Sequence, residues 1–149
     1  MIMQLEEIHE MWQKDSVIDD TQLDIASVDA AKLHGKYLSM HSVAKLSLKK
    51  AELSHKTLLK NKFLYYNGKL SQKEIDDLGW AYDPFNGLKI LKGDMTYYYE
   101  ADTDIQKSES KIAYHKEVVS VLEEILTSLK WRNQSIRNII DWKKFTSGV

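Results

Sequence analysis

The stretch VDAAKLHGKYLSMHSVAKLSLKKAELSHKTLLKNKFLYY, residues 28–66, decides the fold. Only Gly35 interrupts it, and Ala, Leu and Lys, all good helix formers, dominate. It reads as one long helix, roughly 55 Å at about 1.5 Å per residue. A helix of that length needs another long helix, or copies of itself, to pack against. Asn67-Gly68 ends it, supplying the left-handed residue of a C-cap.

The companion lies downstream, from about Asp102 to Leu129, capped by Thr103 or Asp102. Ile105, Ile112, Val119, Leu122, Leu126 and Leu129 recur there as a heptad seam, a narrow stripe that prefers a helix as its partner. The following WRNQSIRNIIDWKKF carries Ile136, Ile139, Ile140, Trp142 and Phe145 at further helical spacing. Upstream, Leu5, Ile8, Met11 and Trp12 fit one face of a short helix, with Ile8 and Trp12 as its core contacts, and DDTQLD reads as a turn. Ser71 with Glu74 three residues later forms a capping box for a short helix to about Leu78.

Between the long helices, GWAYDPFNGLKILKG (79–93) holds the only proline and three of the six glycines. It reads as an ordered, aromatic-rich loop with room for one short strand pair around Leu88 to Leu91. TYYYEADTD then leads into the second long helix. The rings of Trp80, Tyr82, Phe85 and Tyr97 to Tyr99 either seal a hydrophobic patch over the helices or form a stacking platform. The expected fold is all-α: two long helices, a C-terminal helix and an aromatic-rich loop between the long pair, in one domain spanning 1–149.

Several function classes drop out. With no cysteine there is no disulfide, thiolate zinc site or cysteine nucleophile. Serine nucleophile elbows, phosphate-binding loops, HExxH and glycine-rich dinucleotide turns are absent. Asp76-Asp77 and Glu123-Glu124 are adjacent in sequence, so each pair points to different parts of a helix surface. His34, His41 and His55 fall at multiples of seven, about 10 Å apart or more, too far to share one metal. No enzyme, metal or cofactor is expected. The acidic N-terminus lacks the features of a signal peptide and no apolar run approaches a membrane span, so the expectation is a soluble, intracellular protein with no membrane contact.

A net charge of -1 conceals strong segregation. Residues 1–27 hold one lysine against seven acids, 28–73 ten lysines against two acids, and 74–110 three lysines against nine acids. Residues 111–149 are mildly basic. Within the long helix, Lys45, Lys49, Lys56 and Lys60 fall within about 60° of arc. Lys62 lies off that stripe, and Phe63, Tyr65 and Tyr66 stand at its end. Cations beside flat rings suit a single strand, whose phosphates need charge and whose unpaired bases need a stacking surface. The same lysines also read as a solvated face over core aromatics.

LLKNKFLYYNG (58–68) and SLKWRNQSIRNIIDWKKFTSG (128–148) resemble the matching stretches of the UvsY family, recombination mediators of T-even-like phages. The acidic opening before a long basic helix agrees. GWAYDPFNGLKILKGDMTYYYEAD looks like the version carried by phages of marine cyanobacteria and differs from the enteric-phage form. The resemblance implies a ring-forming helical protein, a hexamer or heptamer, in the cytoplasm of an infected bacterium. Such a protein binds single-stranded DNA, contacts the phage recombinase and the phage single-strand-binding protein, and helps exchange one for the other. ATP hydrolysis would belong to the recombinase. The family's basic-x-basic motif before an aromatic pair maps onto Lys60 and Lys62 ahead of Tyr65 and Tyr66. Lys62 stands where the enteric form usually has Arg, which keeps the charge and loses bidentate phosphate contact. The family's C-terminal oligomerisation helix maps onto Ile136, Ile139, Ile140, Trp142 and Phe145. The competing reading is a helical scaffold or assembly protein, also non-enzymatic, that does not bind DNA.

Overall fold

A computed structural model describes residues 4–148. It is all-α, with six α-helices and one 3-10 turn among the described residues: α1 (Leu5–Asp15), α2 (Leu23–Tyr66), α3 (Gln72–Leu78), the 3-10 turn (Lys92–Asp94), α4 (Met95–Ala101), α5 (Thr103–Lys130) and α6 (Arg132–Ser147). The described residues form two compact units. One draws on the chain up to Ser47 and from His115 onward, the other on Leu48–Tyr114.

In the first unit α1 buries Ile8, and Trp12 packs edge-on against Tyr37 with ring centroids 5.5 Å apart. The core joins Ala26, Ala30, Tyr37 and Ala44 of α2 to Val118, Leu122, Ile125, Leu126 and Leu129 of α5 and Ile136 of α6. His41 on α2 meets Glu123 on α5 at 3.2 Å. Two polar ties fix the end of α1. The Asp15 carboxylate accepts from Lys36 Nζ at 2.7 Å and from the Tyr37 hydroxyl at 2.8 Å. Burial alone would raise the Asp15 pKa, but those hydrogen bonds and the Lys36 charge outweigh it and hold the carboxyl below its usual range. Arg132, buried at the start of α6, donates to the carbonyls of Ser16 and Val17 at 3.3 and 3.1 Å.

In the second unit α2 runs antiparallel to α5, since His55 meets Ser108 at 2.8 Å while Lys62, further along α2, meets Asp104 at 2.9 Å. The end of α2 is as expected. Gly68 is left-handed at φ 66°, and the Lys69 N–H returns to the Leu64 carbonyl at 2.8 Å, which caps the last turn. The capping box also forms: Ser71 Oγ accepts from the Glu74 N–H at 3.2 Å and α3 begins there.

Three features differ from expectation. The long helix begins at Leu23 and not at Val28, so the end of the DDTQLD stretch, read as a turn, is already helical. The helix α4 occupies Met95–Ala101, where the tyrosine run reads as a lead-in to the next helix. No strand forms around Leu88 to Leu91 or elsewhere among the described residues. Asp83 takes the N–H groups of Phe85 and Gly87 at 2.9 and 2.6 Å, and Asn86 and Gly87 both have positive φ. The chain is thereby wound into a tight turn and has no extended partner to pair with.

The buried line of α2 is made of small residues and tyrosine at seven-residue steps: Ala30, Tyr37 and Ala44 in the first unit, Ala51 and Tyr65 in the second. Ala44 is fully buried, so Ala44→Leu should overpack this line and cost about 1–3 kcal/mol in denaturant unfolding followed by circular dichroism. Ala31→Leu, on an exposed position of the same helix, should stay within about 0.5 kcal/mol.

Candidate nucleic-acid interface

The C-terminal half of α2 divides its cations between two environments. Lys49, Lys56 and Lys60 are exposed, and their spacings of seven and four put them on one face of the helix. None of them has an ion-pair partner among the described residues. Lys45 is exposed as well, in the first unit.

Lys62 does not share that face. Two residues beyond Lys60 is about 200° around the helix, and the side chain turns into the unit. The residue is 3% exposed. Its ammonium lies 3.0 Å from Asp102 Oδ2 and 2.9 Å from Asp104 Oδ2, and 3.8 Å from the centre of the Trp80 ring. The expectation that Lys60 and Lys62 jointly face phosphate is therefore corrected for Lys62. Its charge is already matched by two carboxylates and its fourth side is covered by an indole.

The aromatic pair is likewise turned inward. Tyr65 is buried and its hydroxyl donates to the Ala81 carbonyl. Tyr66 is half-buried and donates to Asp102 Oδ2 at 2.7 Å. The Tyr66 ring centroid lies 5.2 Å from that of Tyr99 and 5.8 Å from that of Phe85, and Phe85 meets Tyr98 edge-on at 4.9 Å. Tyr65 packs on Trp80 at 4.9 Å. Loop and α4 rings thus seal a patch over the end of α2, with Tyr82 and Tyr97 left outside it.

Asp102 is the hub of this cluster. Besides Lys62 and Tyr66 it accepts from the backbone N–H groups of Asp104 and Ile105 at 2.9 and 3.0 Å, which makes it the N-cap of α5. Burial pushes its carboxyl pKa up. The hydrogen bonds from Tyr66, Ile105 and Lys62, with the Lys62 charge, more than reverse this and hold it below the ordinary 3.8. Burial and the neighbouring Asp102 carboxylate both raise the Tyr66 hydroxyl, which therefore stays a donor.

Of the three rings that stand at the end of the lysine stripe, Phe63 is the one left facing solvent. It is half exposed, one heptad beyond Lys56 and three residues beyond Lys60, so it extends the exposed lysine face. The signal was available in that spacing; Tyr65, by contrast, falls on the buried line through Ala51. In the C-terminal helix, Ile136 belongs to the core of the first unit and Ile139 and Ile140 are partly covered. Trp142 and Phe145 are 65% and 76% exposed and stack on each other with centroids 5.8 Å apart.

Residues 11–149 match the family described as "Recombination, repair and ssDNA binding protein UvsY". The chain is similar to the recombination protein UvsY of Enterobacteria phage T4, at 27% identity over 146 residues, covering 98% of this chain and 99% of that one. Crystal structures of the phage T4 recombination mediator protein UvsY in two lattices are similar at TM-scores of 0.80 and 0.78, with 27% and 25% identity. Each covers 97% of this chain, and they are themselves covered to 98% and 99%.

The placement of Lys62 makes a sharp distinction testable. Lys62→Ala strands Asp102 and Asp104 without their cation, so it should lower unfolding stability by about 3–5 kcal/mol, read by denaturant titration. A lysine that merely touched phosphate would leave stability unchanged. Because the Asp102 carboxyl is depressed in the folded chain, its contribution is complete above the ordinary carboxyl value and is lost as pH falls through the folded value. Asp102→Asn should therefore be less stable at neutral pH and show a shallower loss of stability on acidification below about pH 4.

Proposed function

We propose that this chain, which belongs to the UvsY family of recombination, repair and single-stranded-DNA-binding proteins, engages a single strand through the exposed lysine face of α2 and does so as a ring. The coarser role, a recombination mediator, follows from the family. The finer reading is carried by one observation: Lys49, Lys56 and Lys60 share a solvent-facing side of one helix and have no acidic partner among the described residues. Lysines in that condition are free to neutralise phosphates and so release the cations condensed on a nucleic-acid strand. Lys45 is assigned to the same role in the first unit. Lys62, Tyr65 and Tyr66 then act from inside, holding the end of α2 on α5 so that the outward lysines keep their spacing.

A few lysines per chain give weak, salt-sensitive affinity, and a ring multiplies it by offering many copies to one strand. The exposed Trp142–Phe145 stack on α6 is an apolar surface of the kind that a second copy covers, which supports assembly through this helix. Ile139 and Ile140 contribute at its edge, and Ile136 supports α6 from within. We assign the ring, six or seven copies, the task of straining the phage single-strand-binding protein's hold on DNA and presenting the freed strand to the phage recombinase in the host cytoplasm. Among the described residues no helix is long and apolar enough to cross a membrane. The burial of Lys62 and Tyr65 also suits a helical scaffold with no DNA role, and the same experiment separates the two.

Full-length protein with Lys49, Lys56 and Lys60 changed to Ala should bind an oligo-dT strand more weakly than the parent, with helix content and mass unchanged. Each lost phosphate contact should remove about 0.7 from the slope of log affinity on log salt in a fluorescence-anisotropy titration. Unaltered affinity and slope would favour the scaffold. Trp142→Ala with Phe145→Ala should lower the mass measured by light scattering while circular dichroism stays helical. Retention of the parent mass would move assembly away from α6.

A further inference from the structure

Where α2 ends, the exposed lysine face runs into a groove within the second unit. Phe63, Asn67, Lys69, Lys92, Met95 and Tyr99 line it, with Leu59 and Thr96 beside them. Its volume is about 800 Å³, within the range of small-molecule sites. The lining holds two lysines and no carboxylate, although the segment that supplies Lys92, Met95 and Tyr99 is acidic overall. Lys69 Nζ stands 5.6 Å from the centre of the Phe63 ring. Asn67 Nδ2 donates to the Phe63 carbonyl at 2.7 Å and to the Tyr99 hydroxyl at 3.2 Å, which ties the wall from α4 to the end of α2.

We infer that this groove receives an unpaired base of single-stranded DNA, stacked on Phe63, with Lys69 and Lys92 holding the flanking phosphates. The inference deepens the proposed DNA role and rests on it. Three observations select this occupant. Phe63 is 50% exposed although a ring of that size is normally covered, which leaves much of its surface to a flat partner, with Lys69 Nζ standing over the ring at 5.6 Å. The groove's lining holds two cations and no carboxylate, which fits a polyanion and repels a basic peptide. Phe63 also lies on the side of α2 that carries Lys56 and Lys60, so a strand following those lysines is led to the ring. The neighbouring tyrosines cannot serve, because Tyr65 is buried and the hydroxyls of Tyr65 and Tyr66 are bound inside the unit. Stacking on Phe63 would be tolerant of base identity, since every base has a π-face.

The test uses the full chain and two labelled strands of equal length, oligo-dT and the same backbone made abasic, with affinity read by anisotropy over a salt series. Phe63→Ala should weaken oligo-dT binding roughly tenfold per engaged base with the salt slope kept, and leave the abasic strand unaffected. Phe63→Tyr should restore the parent affinity. Lys69→Ala with Lys92→Ala should weaken both strands alike and flatten the salt dependence. Equal oligo-dT affinity for Phe63→Ala and the parent overturns the inference, as does an equal loss on both strands. A changed mass in light scattering with an unchanged melting curve also overturns it, by making the groove a contact between copies. If the parent chain binds neither strand, the DNA role itself fails, and that result is distinct from a parent that binds while Phe63 proves irrelevant.

Discussion

The second unit depends on one ammonium group. Lys62 Nζ sits between two carboxylates at the start of α5 and against the face of Trp80, so a single charge ties α2, α5 and the loop together. Isolated in a buried site that charge would be prohibitive, and each contact is there because the others share the desolvation. Asp102 shows the same economy. One side chain caps a helix, anchors Tyr66 and neutralises Lys62. The first unit uses a similar device at Asp15, where Lys36 and Tyr37 converge on one carboxylate. In both, a lysine and a tyrosine from α2 converge on the carboxylate.

Much of this architecture was legible in the residues. The unbroken run of Ala, Leu and Lys before Asn67-Gly68 set α2, and the seam at Ile105, Leu122, Leu126 and Leu129 set α5, because helix periodicity is written in the spacing of large apolar side chains. The caps at Ser71 and Asp102 were legible because short polar side chains have few other uses ahead of a helix. The loop's rings were legible as a group, though only burial separates Trp80 and Phe85 from Tyr82.

The buried side of α2 was not legible, and the reason is physical. Its core line is alanine and tyrosine, whereas Leu38, Val43, Leu46 and Leu53 face outward, so the largest apolar residues mark the wrong side. The same inversion hid the character of the basic motif. Lys62 falls off the stripe that holds Lys60 by helix geometry alone, yet only the carboxylates across the unit reveal that its charge is spoken for. The spacing of His41 and His55 has a related explanation. Both sit at seven-residue steps with Leu48 and Lys62, on a side of α2 that meets polar partners from α5.

The alanine line also bears on how the chain holds together at low concentration. Methyl-sized side chains let helices approach closely but remove little apolar surface from water, while the outward leucines leave much of it wet. A lone copy is therefore thermodynamically lean. Any copy or strand that covers those leucines and binds only the folded form adds to its stability by mass action, so that folding and association draw on the same free energy. Were copies in the proposed ring to cover those leucines, dilution would act as a denaturant of its own kind.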